Sequence, residues 1–212
     1  MNKKWLLSAF CLLSAAPTVV AQRKLTEATL IYKVHISEND SLSGDPSKTE
    51  EAVSTSYLKG ASSRTDLITK AGKQSTIYSS KPPQVILLKE YGSQRYLTRL
   101  SVQQWELSNK KYRDASIQLL SDTLRMGGYL CQKALATLPD TRVFSIWYTK
   151  ELTPLNKEFL PLAAVVPGLV LSFETTMGES KLRYEIDRIL LNPVPQVLFD
   201  IPESGYRLLE FQ

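Results

Sequence analysis

Histidine is almost absent from this 212-residue chain: His35 is the only one. A Ser-His-Asp or Cys-His pair would have to use it, yet it sits between Val34 and Ile36 in a strand-like stretch. Cysteine is nearly as scarce, with Cys11 and Cys131 alone. One thiol and one imidazole cannot build a zinc site, and the same shortage argues against haem and iron–sulfur ligation. No glycine-rich phosphate loop occurs, and Val166-Pro167-Gly168-Leu169 reads as a turn. The chain is therefore expected to need no cofactor and no metal, and to be no enzyme. Its 21 acidic residues keep a carboxylate-dependent hydrolase as a third-ranked reading. Glu38, Asn39, Asp40 and Asp45 surround Gly44 without the spacing of a calcium loop.

A strong charge of one sign is also missing. The net charge is +5, and the basic runs Asn109–Arg113 and Arg95 with Arg99 are short and interrupted. Such a balance favours solubility over nucleic-acid binding. Long hydrophobic runs are limited to the N-terminus. Lys3 and Lys4 precede an uncharged stretch from Trp5 to Ala16, Pro17 breaks it, and Val19-Val20-Ala21 supplies a cleavage-type ending. That is a three-part secretory signal, too short to span a bilayer. Residues 1–21 are expected to leave, so that a single domain, 22–212, works in the periplasm or outside the cell. Removing 21 of 212 residues leaves 191 residues and a net charge of +3. Cys11 lies inside the apolar run rather than after it, so no lipid anchor is expected. Leu160–Phe173 is the most apolar later stretch, but Pro161, Pro167 and Gly168 interrupt it.

What remains reads mostly as β-structure. Ala28, Leu30, Tyr32, Val34 and Ile36 alternate with Thr29, Ile31, Lys33, His35 and Ser37, the period of a long strand. Residues 38–51 are rich in Ser, Asp, Glu and Gly and predict an exposed loop. Short strands follow at Ala52–Tyr57, Ser62–Thr69, Lys73–Ser79, Val85–Leu88 and Gln94–Leu100, in the rhythm of an antiparallel meander. Ser101 and Gln104 form a capping-box pattern for one short helix, with Trp105 on its apolar side and Lys110-Lys111 near its end. Two hairpins then follow, Leu130–Leu138 with Arg142–Tyr148 and Leu169–Thr175 with Lys181–Leu190. Glu151–Leu162 predicts a loop or broken helical turn. Simple alternation puts Leu182, Tyr184, Ile186 and Arg188 on one face of the last strand and Ile189 on the charged face. It also puts Phe144, Ile146 and Tyr148 opposite Val143 and Trp147, predicting cover on both sides. That cover could be an ordinary core or a ligand cavity. Cys131 could be a reactive thiol helped by Lys133 on its own strand face, or a small buried hydrophobe.

The second half also resembles a known family. Gly128-Tyr129-Leu130-Cys131-Gln132-Lys133-Ala134 followed by Phe144–Thr149 is similar to a "GYxCxKA … VWYT" pattern. Val166–Leu171 resembles a "(L/I)PGLxL" element, and Asn192–Pro195 followed by Phe199–Tyr206 resembles a closing run. Together these resemble the GLPGLI-type secreted proteins of Gram-negative bacteria and a related secreted domain of unknown function. The resemblance implies the fold of the periplasmic lipoprotein carriers (LolA/LolB-like). That fold is mainly β, a curled antiparallel sheet forming an incomplete barrel with one or two short helices over a face. The leading Gly of "GLPGL" is Val165 or Val166 here.

The expected function is a soluble periplasmic, non-enzymatic protein that binds a lipid or lipoprotein acyl chain on the concave face. The expected lining is Phe144, Trp147, Leu169, Leu171, Phe173, Leu182, Tyr184 and Ile186. Burial of each methylene would supply about 0.8 kcal/mol. The alternative is an envelope accessory or interaction protein with a filled core, whose partner is another envelope protein.

Overall fold

A computed structural model describes residues 22–38 and 50–211. The secretory-signal expectation for 1–21 lies outside the described residues, as do residues 39–49 of the expected loop. Glu38 ends one strand and Glu50 and Glu51 open the next.

The first half is a meander: β2 (Glu27–Glu38), β3 (Glu50–Lys59), β4 (Ser62–Thr69), β5 (Gly72–Ser80), β6 (Pro83–Tyr91) and β7 (Gln94–Leu100), each antiparallel to the next. The second half adds β8 (Ser116–Met126), β9 (Tyr129–Thr137), β10 (Val143–Thr149), β12 (Leu169–Met177) and β13 (Ser180–Leu190). β13 pairs with β2 and joins the halves. A last short strand, β14 (Arg207–Leu209), lies parallel on β7. The result is a twelve-stranded sheet in the order β14-β7-β6-β5-β4-β3-β2-β13-β12-β10-β9-β8, curled but not closed. β1 (Arg23–Leu25) and β11 (Leu152–Pro154) form a separate parallel pair. β11 lies inside the stretch expected to be loop. Its three residues are too few to show a period, and Leu152 and Pro154 are buried.

Alternation explains the main core. Leu30, Tyr32 and Val34 of β2, Leu182 and Tyr184 of β13, Phe173 of β12 and Ile146 of β10 turn to one side. The Phe173 and Tyr184 rings stack with centroids 4.4 Å apart. Tyr32 is fully buried, and its hydroxyl donates to the Val170 carbonyl at 2.9 Å, so the burial leaves no phenol unsatisfied. The chain itself covers this face. Phe159, Leu160, Leu162, Ala163 and Val166, from the connection between β11 and β12, all pack into the core.

That connection is tied to the polar part of the same face. Thr65 Oγ1 donates to the Phe159 carbonyl at 3.0 Å. Asn156 Nδ2 donates to the Ala61 carbonyl and Ser63 Oγ at 2.9 and 3.1 Å. On the inner face of β3 and β4, Thr65 and Ser63 bond the cover and Ser56 bonds Thr65, while the buried Ser54 Oγ has no partner among the described residues. Gly168 ends the connection where a Cβ would run into the Thr149 carbonyl.

Ser101 forms the expected capping box: its Oγ accepts from Gln104 N at 3.1 Å, and Gln104 Oε1 accepts from Ser101 N at 2.9 Å. The expected single helix is two. α1 (Val102–Ser108) buries no residue, and α2 (Lys110–Arg113) anchors the pair through Tyr112, whose hydroxyl lies 2.9 Å from Thr175 Oγ1. The lysines expected at the end of α1 open α2 instead.

Two alternation expectations fail. A bulge between Ile186 and Arg188 reverses the faces, so Arg188 is exposed and Ile189 packs against the core. A two-residue period cannot register an inserted residue. The second face of β10 is only partly covered: Val143 is 54% exposed, and half-buried Trp147 packs against the core's edge with the Lys133 ammonium 5.7 Å from its ring centroid.

A second, smaller cluster lies on the outer face. Ile77, Ile86, Leu88 and Leu97 are covered by Phe199, Ile201 and Tyr206 of the C-terminal tail. Arg64 Nη1 donates to the Leu198 carbonyl at 2.7 Å, and its Nε holds Asp66 at 2.7 Å. Lys73 reaches the same carboxylate at 3.0 Å. Burial pushes the Asp66 pKa up, but Arg64, Ser75 and Lys73 together outweigh it and hold it below the ordinary carboxylate value.

Gly168→Ala should lower the urea midpoint by the equivalent of about 1–3 kcal/mol, because its Cβ would run into the Thr149 carbonyl oxygen. An unchanged midpoint would contradict the close-approach account. Asp66 has a depressed folded-state pKa, so its contribution is present above the unfolded value and lost as pH falls through the folded one. The stability gap between wild type and Asp66→Asn should be full at pH 7 and shrink below about pH 4; a gap independent of pH would refute the pairing.

Candidate functional site

The expected lining residues are mostly core. Leu169, Leu171, Phe173 and Leu182 are at most 1% exposed, and Phe144 is 5% exposed. They touch one another and the 159–166 connection rather than open space. Ile186 is half-buried beneath the β8–β9 turn, close to Gly127. Trp147 points the other way from Ile146 and packs only partly buried against the edge of this core. Tyr184 alone borders a cavity on the concave side.

That cavity is small, about 170 Å³. Its floor is Thr65, Leu67, Gln74 and Thr76, and its cover is Trp105 with Glu158–Pro161. Glu158 fastens the cover. Both its oxygens accept from Arg113 Nη2 at 2.7 Å, and Oε2 accepts from Trp105 Nε1 at 3.0 Å. Nearby, Lys157 Nζ donates to the Val166 carbonyl at 2.8 Å, and partial burial lowers its pKa.

A larger pocket, about 490 Å³, opens beside β8, β9 and the end of β10. Its walls are mainly apolar and include Leu130, Cys131 and Tyr148, with Gln22, Thr123, Lys150 and Glu151 around them. The wall is rigidly tied. Tyr148 donates its hydroxyl to Gln132 Oε1 at 3.0 Å, and Gln132 Nε2 donates to the Leu120 carbonyl at 2.8 Å. That carbonyl belongs to a bulge in β8 between Leu119 and Thr123. Glu151 Oε1 accepts from the Leu130 backbone N–H at 2.9 Å. Leu130 itself is 50% exposed, an apolar side chain at the mouth.

Sequence reasoning missed this pocket. Its residues come from three strands, β8, β9 and β10, a connection and the start of the described residues, so no spacing joins them. Cys131 was the one visible signal. It is fully buried, and burial first, with Glu151 adding, pushes its thiol up to about 11. Lys133 does not activate it, because its ammonium sits over Trp147. His35 lies between Arg183 and Glu51 on neighbouring strands. Among the described residues no group of three or more His, Cys, Asp or Glu could hold a metal ion. No helix of the described residues is long and apolar enough to cross a membrane.

No family model and no curated protein matches the chain. Among solved structures it is similar to PNGF-II, at 15% identity and a TM-score of 0.45, over 87% of this chain and 31% of that one. The chain thus spans about a third of the length of PNGF-II. It is similar to an uncharacterized conserved protein from Thermus thermophilus at 8% identity and a TM-score of 0.48, over 85% of this chain and 90% of that one. It is also similar to MucB, solved in complex with MucA(peri), at 10% identity and a TM-score of 0.41, over 84% of this chain and 54% of that one. These likenesses concern the path of the chain, not its chemistry.

The Cys131 environment makes a direct prediction. A disulfide reagent at pH 8 should modify the folded protein roughly a hundredfold more slowly than the urea-unfolded chain. Equal rates would show that the thiol is open.

Proposed function

We propose that this chain is a non-enzymatic protein of the cell envelope, periplasmic or secreted, that binds an apolar or amphipathic ligand. The ligand site is the pocket walled by Leu130, Cys131 and Tyr148, not the concave face favoured by the sequence. The observation that supports this choice is space combined with apolar walls: clefts of about 430 and 420 Å³ occur elsewhere, but they are bordered largely by polar and charged residues such as Arg95 and Arg207, or Asn156, Lys157 and Glu158. The concave cavity, at about 170 Å³, is close to the roughly 150 Å³ that admits benzene. The side pocket, at about 490 Å³, falls within the roughly 300–1,000 Å³ of small-molecule sites. Its apolar walls suit methylenes, each contributing about 0.8 kcal/mol on burial. Lys150 stands at the rim and enters no ion pair among the described residues, which suits an anionic head.

The packed concave face also favours a second reading, an envelope interaction protein with no small ligand. Titration with a fluorescent fatty-acid probe separates the two. The first reading expects saturable fluorescence enhancement, about tenfold weaker for Leu130→Arg and unchanged for Thr76→Leu, which fills the concave cavity. Loss with Thr76→Leu alone would return the ligand to the concave face. No enhancement with folded wild type would leave the interaction reading standing.

A further inference from the structure

We infer that β8 and the pocket beside it form a strand-addition site for an extended, acidic polypeptide segment that sets one apolar side chain into the pocket. This rests on the pocket reading above and names its partner.

β8 is an 11-residue strand at the end of the sheet, hydrogen-bonded only to β9 among the described residues. Its free edge presents a row of backbone donors and acceptors, the chemistry an extended peptide completes. The opposite edge is already treated this way by the chain itself. There β14 adds in parallel to β7, pairing Arg207 with Tyr96 through Leu209 with Thr98. No segment among the described residues does the same for β8.

The pocket abuts this edge. Thr123 lines it from β8. The Leu119–Thr123 bulge interrupts the strand, and Gln132 takes the Leu120 carbonyl, leaving Thr123–Met126 as the regular stretch beside the pocket. A peptide along that stretch has affinity from its backbone and selectivity from one side chain.

Charge sets the sign of the partner. Arg125 follows Thr123 on the same strand face by alternation, and Lys150 lines the pocket. Neither enters an ion pair among the described residues. Two acids lie nearby: Glu151 accepts from the Leu130 N–H, and Asp122 sits in the β8 bulge ahead of Thr123. Acidic residues of the partner therefore match when placed beside Arg125 and Lys150, past the bulge that carries Asp122.

A second copy fits less well: with a net charge of +5 it complements Arg125 and Lys150 less than an acidic segment does. A free acyl chain fills the pocket but leaves the edge unbonded.

The test uses the folded protein and labelled peptides of alternating Thr and Val, with Leu, Ile, Phe or Trp at the centre and Asp and Glu beside it. Binding is followed by anisotropy and by hydrogen exchange over Ser116–Met126. The expected result is saturable binding and slowed exchange in β8. N-methylation of one alternate set of peptide amides should weaken binding about tenfold, and of the other set should leave it nearly unchanged. Lys150→Glu and Arg125→Glu should each weaken it by about fivefold. No binding across the panel, or equal tolerance of both N-methyl sets, overturns the proposal. So does slowed exchange in β8 that grows with protein concentration alone, which would mark a second copy. If the fatty-acid probe still responds to Leu130→Arg while every peptide fails, only the polypeptide partner falls and the pocket reading survives.

Discussion

A curled sheet with an apolar concave face must cover that face, and here the chain covers it with itself. Phe159, Leu160, Leu162, Ala163 and Val166 lie over Phe173, Tyr184 and their neighbours. The cover is held by Glu158 on Arg113 and Trp105, by Asn156 on Ala61 and Ser63, and by Thr65 of the sheet on the Phe159 carbonyl. These are few polar bonds, each worth about 1 kcal/mol net, so burial of the apolar side chains dominates the attachment. Once the connection is seated, the concave side keeps a cavity of about 170 Å³ beside Tyr184 and a cleft of about 420 Å³ at the rim of the cover, bordered by Tyr78, Asn156, Lys157 and Glu158.

The mainly apolar space is a gap at the end of the sheet, beside β8, β9 and the end of β10. The Tyr148–Gln132–Leu120 chain of hydrogen bonds fixes the gap's walls without filling it. The other end of the sheet is closed differently. There the tail packs Phe199, Ile201 and Tyr206 onto the outer face and adds β14 to the edge. One end is thus finished by the chain, and the other presents both a pocket and an open strand.

Much of the fold was legible because most strands are regular. Ser62–Thr69 and Gln94–Leu100 match their sequence-derived bounds, and the Ser101 capping box is formed as read. The legibility fails where the period breaks. The bulge near Asp187 swapped the faces of Arg188 and Ile189, and β11 was too short to announce itself. The site was less legible than the fold. Apolar residues at Leu169, Leu171, Phe173 and Leu182 look the same in sequence whether a ligand or a neighbouring loop covers them. What covers them is the Pro-rich stretch 154–167, whose role depends on contacts distant in sequence. The Pro-Gly-Leu element within the family resemblance has a physical reading as well: Gly168 admits the Thr149 carbonyl.

The central claim is that the concave face is filled by its own chain and that the space for a ligand lies between Leu130, Cys131 and Tyr148. Photolabelling with a diazirine-bearing fatty acid, mapped by peptide mass spectrometry, tests it most directly. The account predicts label on Leu130–Gln132 and Tyr148–Glu151. Label concentrated on Phe159–Leu162 or Tyr184 would contradict it.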